Sequence, residues 1–179
     1  RAFMLTIGDA KAKKSDFIAG PYFGLYAFGT CVDELLYEKI ETYLKAPCNL
    51  SPDMTQEEWE TLSDPLLPSE EEEEDDDDKY FAERAKVFGG LLPLGSQGCT
   101  YEHALVLNGK YAGRVVNVDL DLAQPKFAFE TNFLDWYERY LDEVISGQLL
   151  DDRPTWFGYH RGEPAEVLLN EYEHTADRK

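Results

Sequence analysis

The sequence predicts a single α+β domain, and three stretches carry that prediction. Val116, Val118, Leu120 and Leu122 alternate with Asn117, Asp119 and Asp121, the period of a half-buried strand with its polar face outward. Val32, Leu35, Leu36, Ile40, Tyr43 and Leu44 recur at helical spacing, and so do Phe133, Trp136, Tyr137, Tyr140, Leu141, Val144 and Ile145. An aromatic stripe as wide as the second must lie on a sheet or on other helices. A chain of 179 residues can build a core that needs no disulfide or metal.

Taken in order, residues 2–7 (AFMLTI) read as a short strand and residues 8–14 as a basic loop. The chain begins at Arg1 and enters this apolar run at once, so we expect further residues upstream of Arg1. Residues 20–29 are aromatic with glycine at both ends, and read as irregular or extended chain on the core. Thr30 or Asp33 can cap a helix that runs to about Ala46, and Pro47 stops it. Residues 49–79 form an acidic insert. Its first half, Pro52 to Leu62, suits a short helix around Trp59; its second half leads into nine consecutive acids, Glu70 to Asp78. Charges that dense repel one another and bury nothing, so a mobile, disordered loop is expected there.

Order is expected again from Tyr80. Val87-Phe88 and Leu91 to Leu94 flank Gly89-Gly90, and Gly95 to Thr100 reads as a loop. Residues 103–107 and 114–122 read as strands of an antiparallel hairpin, with Asn108-Gly109 as the turn signal between them. The aromatic helix starts at an Asn132 or Thr131 cap and ends at Gly147. Residues 151–179 form a C-terminal extension, with Trp156 to Tyr159 followed by a short helix from Pro164 to about Glu173.

Net charge is −19, and its placement matters more than its sum. Residues 51–80 hold fourteen acids and one base, Lys79, for a net of −13. Residues 1–50 balance at 0, and 81–150 and 151–179 carry −3 each. Outside the insert this is an ordinary, mildly acidic domain. The balance argues against wrapping nucleic acid or an anionic membrane, both of which need clustered Lys and Arg. A basic partner is compatible with it. No run approaches the ~18 apolar residues of a membrane span.

Little in the chain looks catalytic. Cys31, Cys48 and Cys99 make an odd set without a CxxC pair, which suits reduced thiols in a cytoplasmic protein. Asp119 and Asp121, two apart on one strand, could begin a metal site or a carboxylate pair, but no nearby His or third acid completes a ligand set. His103, His160 and His174 are scattered, and the surroundings of Cys99 match no nucleophile motif. Gly89-Gly90 and Gly95 to Gly98 do not make a phosphate loop. We therefore expect no catalytic residue, no metal and no cofactor.

One stretch resembles a known family. Phe88-Gly89-Gly90-Leu91-Leu92-Pro93-Leu94-Gly95 through Gly98-Cys99 is followed by Leu105-Val106-Leu107, Gly109, Gly113-Arg114-Val115-Val116 and Asp119. The series closes on Asn132-Phe133-Leu134-Asp135-Trp136-Tyr137-Glu138-Arg139-Tyr140-Leu141-Asp142. In order and spacing this is similar to the SUKH superfamily, Smi/Knr-like branch, over residues 88–147. The family's usual opening, a helical segment with Leu-Pro and an Asn-Gly turn, is not seen here, and the extension beyond 150 has no counterpart.

The resemblance implies a curved, mostly antiparallel sheet backed by helices, occupying residues 1–150. It further implies a non-enzymatic immunity protein, which binds and neutralises a secreted toxin domain, or an intracellular scaffold of the same fold. Joined to the charge, it points to a basic, nuclease-like toxin. Partner contacts are then expected from Glu70, Glu71, Glu72, Glu73, Glu74, Asp75, Asp76, Asp77 and Asp78 as steering charges, Asp119 and Asp121 as rim contacts, and Trp156 and Tyr159 as anchors.

Overall fold

The computed structural model describes residues 25–26, 40–67, 77–98, 100–146, 169 and 172. Among the described residues three helices precede the sheet: α1 (Ile40–Lys45), α2 (Gln56–Ser63), which runs into a 3-10 turn at Asp64–Leu66, and α3 (Asp77–Phe88). Four strands follow, β1 (Leu91–Gly98), β2 (Tyr101–Val106), β3 (Val115–Asp119) and β4 (Lys126–Phe127). Helix α4 (Phe133–Ser146) follows the sheet. The strands lie side by side in chain order, and every neighbouring pair is antiparallel.

Alternation along the strands divides the core into two layers. Ala104, Val106, Val116 and Val118 point to one face of the sheet and meet Tyr43 of α1, Trp59 of α2, and Val87 and Phe88 of α3. Leu94, Val115 and Ala128 belong to the other layer, under Trp136 and Tyr137 of α4 and beside Leu25. Helices therefore cover both faces of an α+β domain. The polar face expected to point outward on β3 is in fact buried: all five residues of the strand are inaccessible, Asn117 and Asp119 included. The reason is α4, whose aromatic stripe needs a surface and takes this one.

Local chemistry explains the element ends. Thr55 caps α2 in a reciprocal box: its Oγ1 accepts from Glu58 N at 3.2 Å, and its own N–H donates to Glu58 Oε2 at 2.8 Å. Asn132 caps α4, with Oδ1 accepting from the N–H groups of Leu134 and Asp135 at 2.9 and 3.0 Å. Asn108, in the connection between β2 and β3, donates through Nδ2 to the carbonyl of Leu44 at the end of α1. Its turn signal therefore serves to hold that helix end inside an eight-residue connection, Leu107 to Arg114, rather than to close a two-residue hairpin.

Three expectations change. Gly95 to Gly98 are strand, not loop: β1 pairs with β2 as far as Gly98, with irregularities between Pro93 and Gly95 and between Ser96 and Gly98. Glycines suit such bulges, which bend and twist a sheet. The second strand of the hairpin ends at Asp119, and Leu120 to Leu122 turn away. The acidic insert of 49–79 is narrower, because Leu50, Trp59 and Leu66 are buried core residues and α3 begins at Asp77. The short helix around Trp59 is present, and its indole N–H donates to the Leu122 carbonyl at 2.9 Å.

The strand expected at 2–7, the start of the first helix, the acids Glu70 to Asp76, the Gly147 stop and most of the C-terminal extension lie outside the described residues. Among the described residues, no helix is long and apolar enough to cross a membrane.

Candidate functional site

The residues expected to contact a partner do not converge among the described residues. Glu70 to Asp76, Trp156 and Tyr159 lie outside them. Asp77 and Asp78 begin helix α3, and an acid such as Asp78 in a first turn suits the positive end of the helix dipole. Asp121 is exposed in the turn after β3.

Asp119 is buried and corrects the expectation of a rim contact. Its Oδ1 accepts from Thr100 Oγ1 at 2.5 Å and from Asp121 N at 3.1 Å, and its Oδ2 accepts from Ala123 N at 3.2 Å. These bonds wrap the chain into a turn that places Leu122 at φ +66°, a conformation rarely taken by a branched residue. The two aspartates are thus a turn cap and a surface charge, not a ligand pair. Among the described residues no group of three or more His, Cys, Asp or Glu side chains is arranged to hold a metal ion. Asp119→Ala removes three accepted bonds and is expected to cost about 2 kcal/mol, while Asp119→Asn, which keeps one acceptor oxygen, should cost about half of that. Urea unfolding of both variants tests the order; equal losses would mean that charge rather than the turn bonds matters.

The described interior holds a polar cluster that the sequence does not announce. His103 and Asn117 are cross-strand partners in β2 and β3, and Gln97 reaches them from β1. Asn117 Nδ2 donates to the Lys126 carbonyl at 3.1 Å, which fixes the amide so that its oxygen faces the other two. That oxygen accepts from Gln97 Nε2 and pairs with His103 Nδ1, both at 2.7 Å. An oxygen has no proton to give, so Nδ1 carries the proton and Nε2 is the lone-pair nitrogen. The ring is wholly buried and packs edge-on against Trp136, with centroids 5.2 Å apart. Burial pushes its pKa down to about 4, with the Arg139 charge adding to the shift and the Asn117 bond opposing it. A neutral, locked imidazole with no open approach is a structural group. A nearby buried ion pair, Arg139 Nε to Glu130 Oε1 at 3.2 Å, ties α4 to the chain leading into it.

Cys48 is partly buried against the same helical layer as Tyr43 and Trp59, and burial raises its thiol pKa. Cys31 and Cys99 lie outside the described residues. What the described surface does offer is acid. Asp53, Glu57, Glu58, Glu60 and Asp64 are exposed along and around α2, and Asp135, Glu138 and Asp142 are exposed on α4. The one base of α4, Arg139, is buried. An arrangement of this kind can steer and hold a cationic surface.

Comparison with protein-family models, with curated proteins and with solved structures finds no match for this chain.

Proposed function

We propose that this chain is a non-enzymatic cytoplasmic immunity protein, which binds a secreted toxin domain with a basic, nuclease-like cleft and blocks it. The observation that carries the reading is the charge of residues 51–80, −13 of the total −19, of which Asp53, Glu57, Glu58, Glu60 and Asp64 are exposed along and around α2. Electrostatic steering by such a patch raises association rates toward a basic partner and fades with salt. The motif order in residues 88–147, similar to SUKH proteins, supports a binding role. So does the use of the interior polar groups: His103, Asn117 and Asp119 are consumed by the fold.

Growth rescue tests the reading. A toxin domain encoded beside this gene is expressed in a laboratory bacterium with and without the full chain. Rescue is expected, with a stable complex on co-purification. Failure to rescue, together with capture of a housekeeping protein from the source cell, would give the protein to the alternative, an intracellular scaffold without a toxin.

The acid run has its own prediction. Asp77 and Asp78 belong to α3, so the clean variant replaces only Glu70 to Asp76 by Ser and Gln. At low salt its association with the captured partner should be about tenfold slower or more, with a flatter salt dependence. Unchanged stopped-flow kinetics would remove the run from the mechanism.

A further inference from the structure

Helix α4 carries its apolar residues beyond the sheet that it covers. Trp136 and Tyr137 are buried, yet Leu134, Leu141 and Ile145 are 61, 41 and 83% exposed. A single exposed leucine needs no explanation. These three differ because they align: positions 134, 141 and 145 fall within about 40° of one another around a helix. They make one apolar row along the outer side of α4. Glu138, Asp142 and Asp135 follow on one flank of the row, all exposed, and Asp135 also serves the Asn132 cap.

We infer that the outer face of α4 is a docking surface for an amphipathic helical segment of a partner protein, with Leu- or Ile-type side chains in a row beside Lys or Arg. The apolar row would accept the partner's apolar row at i, i+7 and i+11, as helix pairs do. The acidic flank selects the sign of the neighbouring charge. A second copy of this chain is the poorer occupant, because a two-fold pairing of α4 on α4 brings Glu138 and Asp142 against their own copies. The surface lies on the opposite layer from α2 and α3, so it stands or falls apart from the acid run and from whether the partner is a toxin.

The test uses the full chain and a designed 18-residue acetylated peptide with leucines at helical spacing and lysines along one adjoining flank. Controls are a peptide of the same composition in scrambled order and a peptide with glutamates in place of the lysines. The patterned peptide should bind, and its backbone amide shift changes should centre on residues 133–146. Leu134→Ser with Ile145→Ser should weaken binding about tenfold or more, whereas Glu57→Gln with Glu60→Gln on α2 should change it less than about threefold. Glu138→Lys with Asp142→Lys should reverse the preference toward the glutamate peptide, a readout that survives any modest loss of stability. The inference is overturned by the absence of binding, by equal binding of the scrambled peptide, or by shifts centred on α2 and α3. It is equally overturned by sedimentation showing a native dimer that Leu134→Ser and Ile145→Ser dissociate, since the face would then belong to a second copy.

Discussion

Gly90→Ala should destabilise the protein by about 4 kcal/mol, measured as a loss of urea unfolding free energy. Two costs add. Gly90 sits at φ +69°, where a side chain costs about 1–2 kcal/mol. An added Cβ would also lie 2.6 Å from the Ala46 carbonyl oxygen and 2.8 Å from the Cys48 nitrogen. Both are backbone atoms in the bend after α1 and cannot rotate aside, so overpacking adds about 1–3 kcal/mol. The position is also pinned: Gly90 N–H donates to the Tyr43 carbonyl at 2.6 Å, and its carbonyl accepts from Leu107 N at 2.7 Å. Gly113 separates the two costs. It has φ +95° and nothing within 4 Å of where an added Cβ would lie, so Gly113→Ala should show the conformational part alone. If both variants lose the same stability, close approach is not what makes Gly90 a glycine.

The same pair of glycines shows where the sequence is readable. Gly89-Gly90 is legible as a turn, because two glycines between apolar runs have few other uses. Its real constraint, the end of α1 pressed against it, joins residues more than forty positions apart in the chain and leaves no local mark. The hairpin is legible for the same local reason, since Val116 and Val118 alternate with Asn117 and Asp119 along β3. The polar face of β3 misleads because alternation distinguishes two faces without saying what covers the second. The covering element is present in the sequence as the aromatic stripe of α4, and the two facts have to be joined to bury Asn117 and His103. Trp59 and Leu66 fall inside the expected insert because a stretch of net −13 hides two isolated core residues. Leu141 and Ile145 belong to the stripe by spacing, yet both are exposed. Periodicity places residues on a face; it does not say how far along the helix that face is covered. The expected contact residues are the least legible of all. A binding surface follows the shape and charge of its partner, so nothing in this chain's own folding requires them to be where they are.

The second large effect is acid lability centred on His103. The unfolded chain exposes an imidazole with a pKa near 6.5; in the fold, burial holds it at about 4, with the ring neutral. Between these values the unfolded state binds a proton that the folded state refuses. The contribution is thus complete above about pH 6.5 and is lost as pH falls through 4, for a total of about 3 kcal/mol. Arg139 and Glu130 on the α4 side, and Asn117 and Gln97 on the sheet side, are the polar neighbours of this layer. Asn117 can accept from a protonated Nδ1 but has nothing more to offer a charged ring, and Arg139 opposes a second positive charge. Protonation therefore disfavours the buried position of His103, which is in ring contact with Trp136 of α4. His103→Leu should lose part of the pH 7 stability through the broken Asn117 bond, yet be flatter between pH 6.5 and 4.5 than the native chain by about 2 kcal/mol. Unfolding curves at the two pH values for both proteins give that difference directly. Parallel losses would place the acid sensitivity elsewhere than on His103.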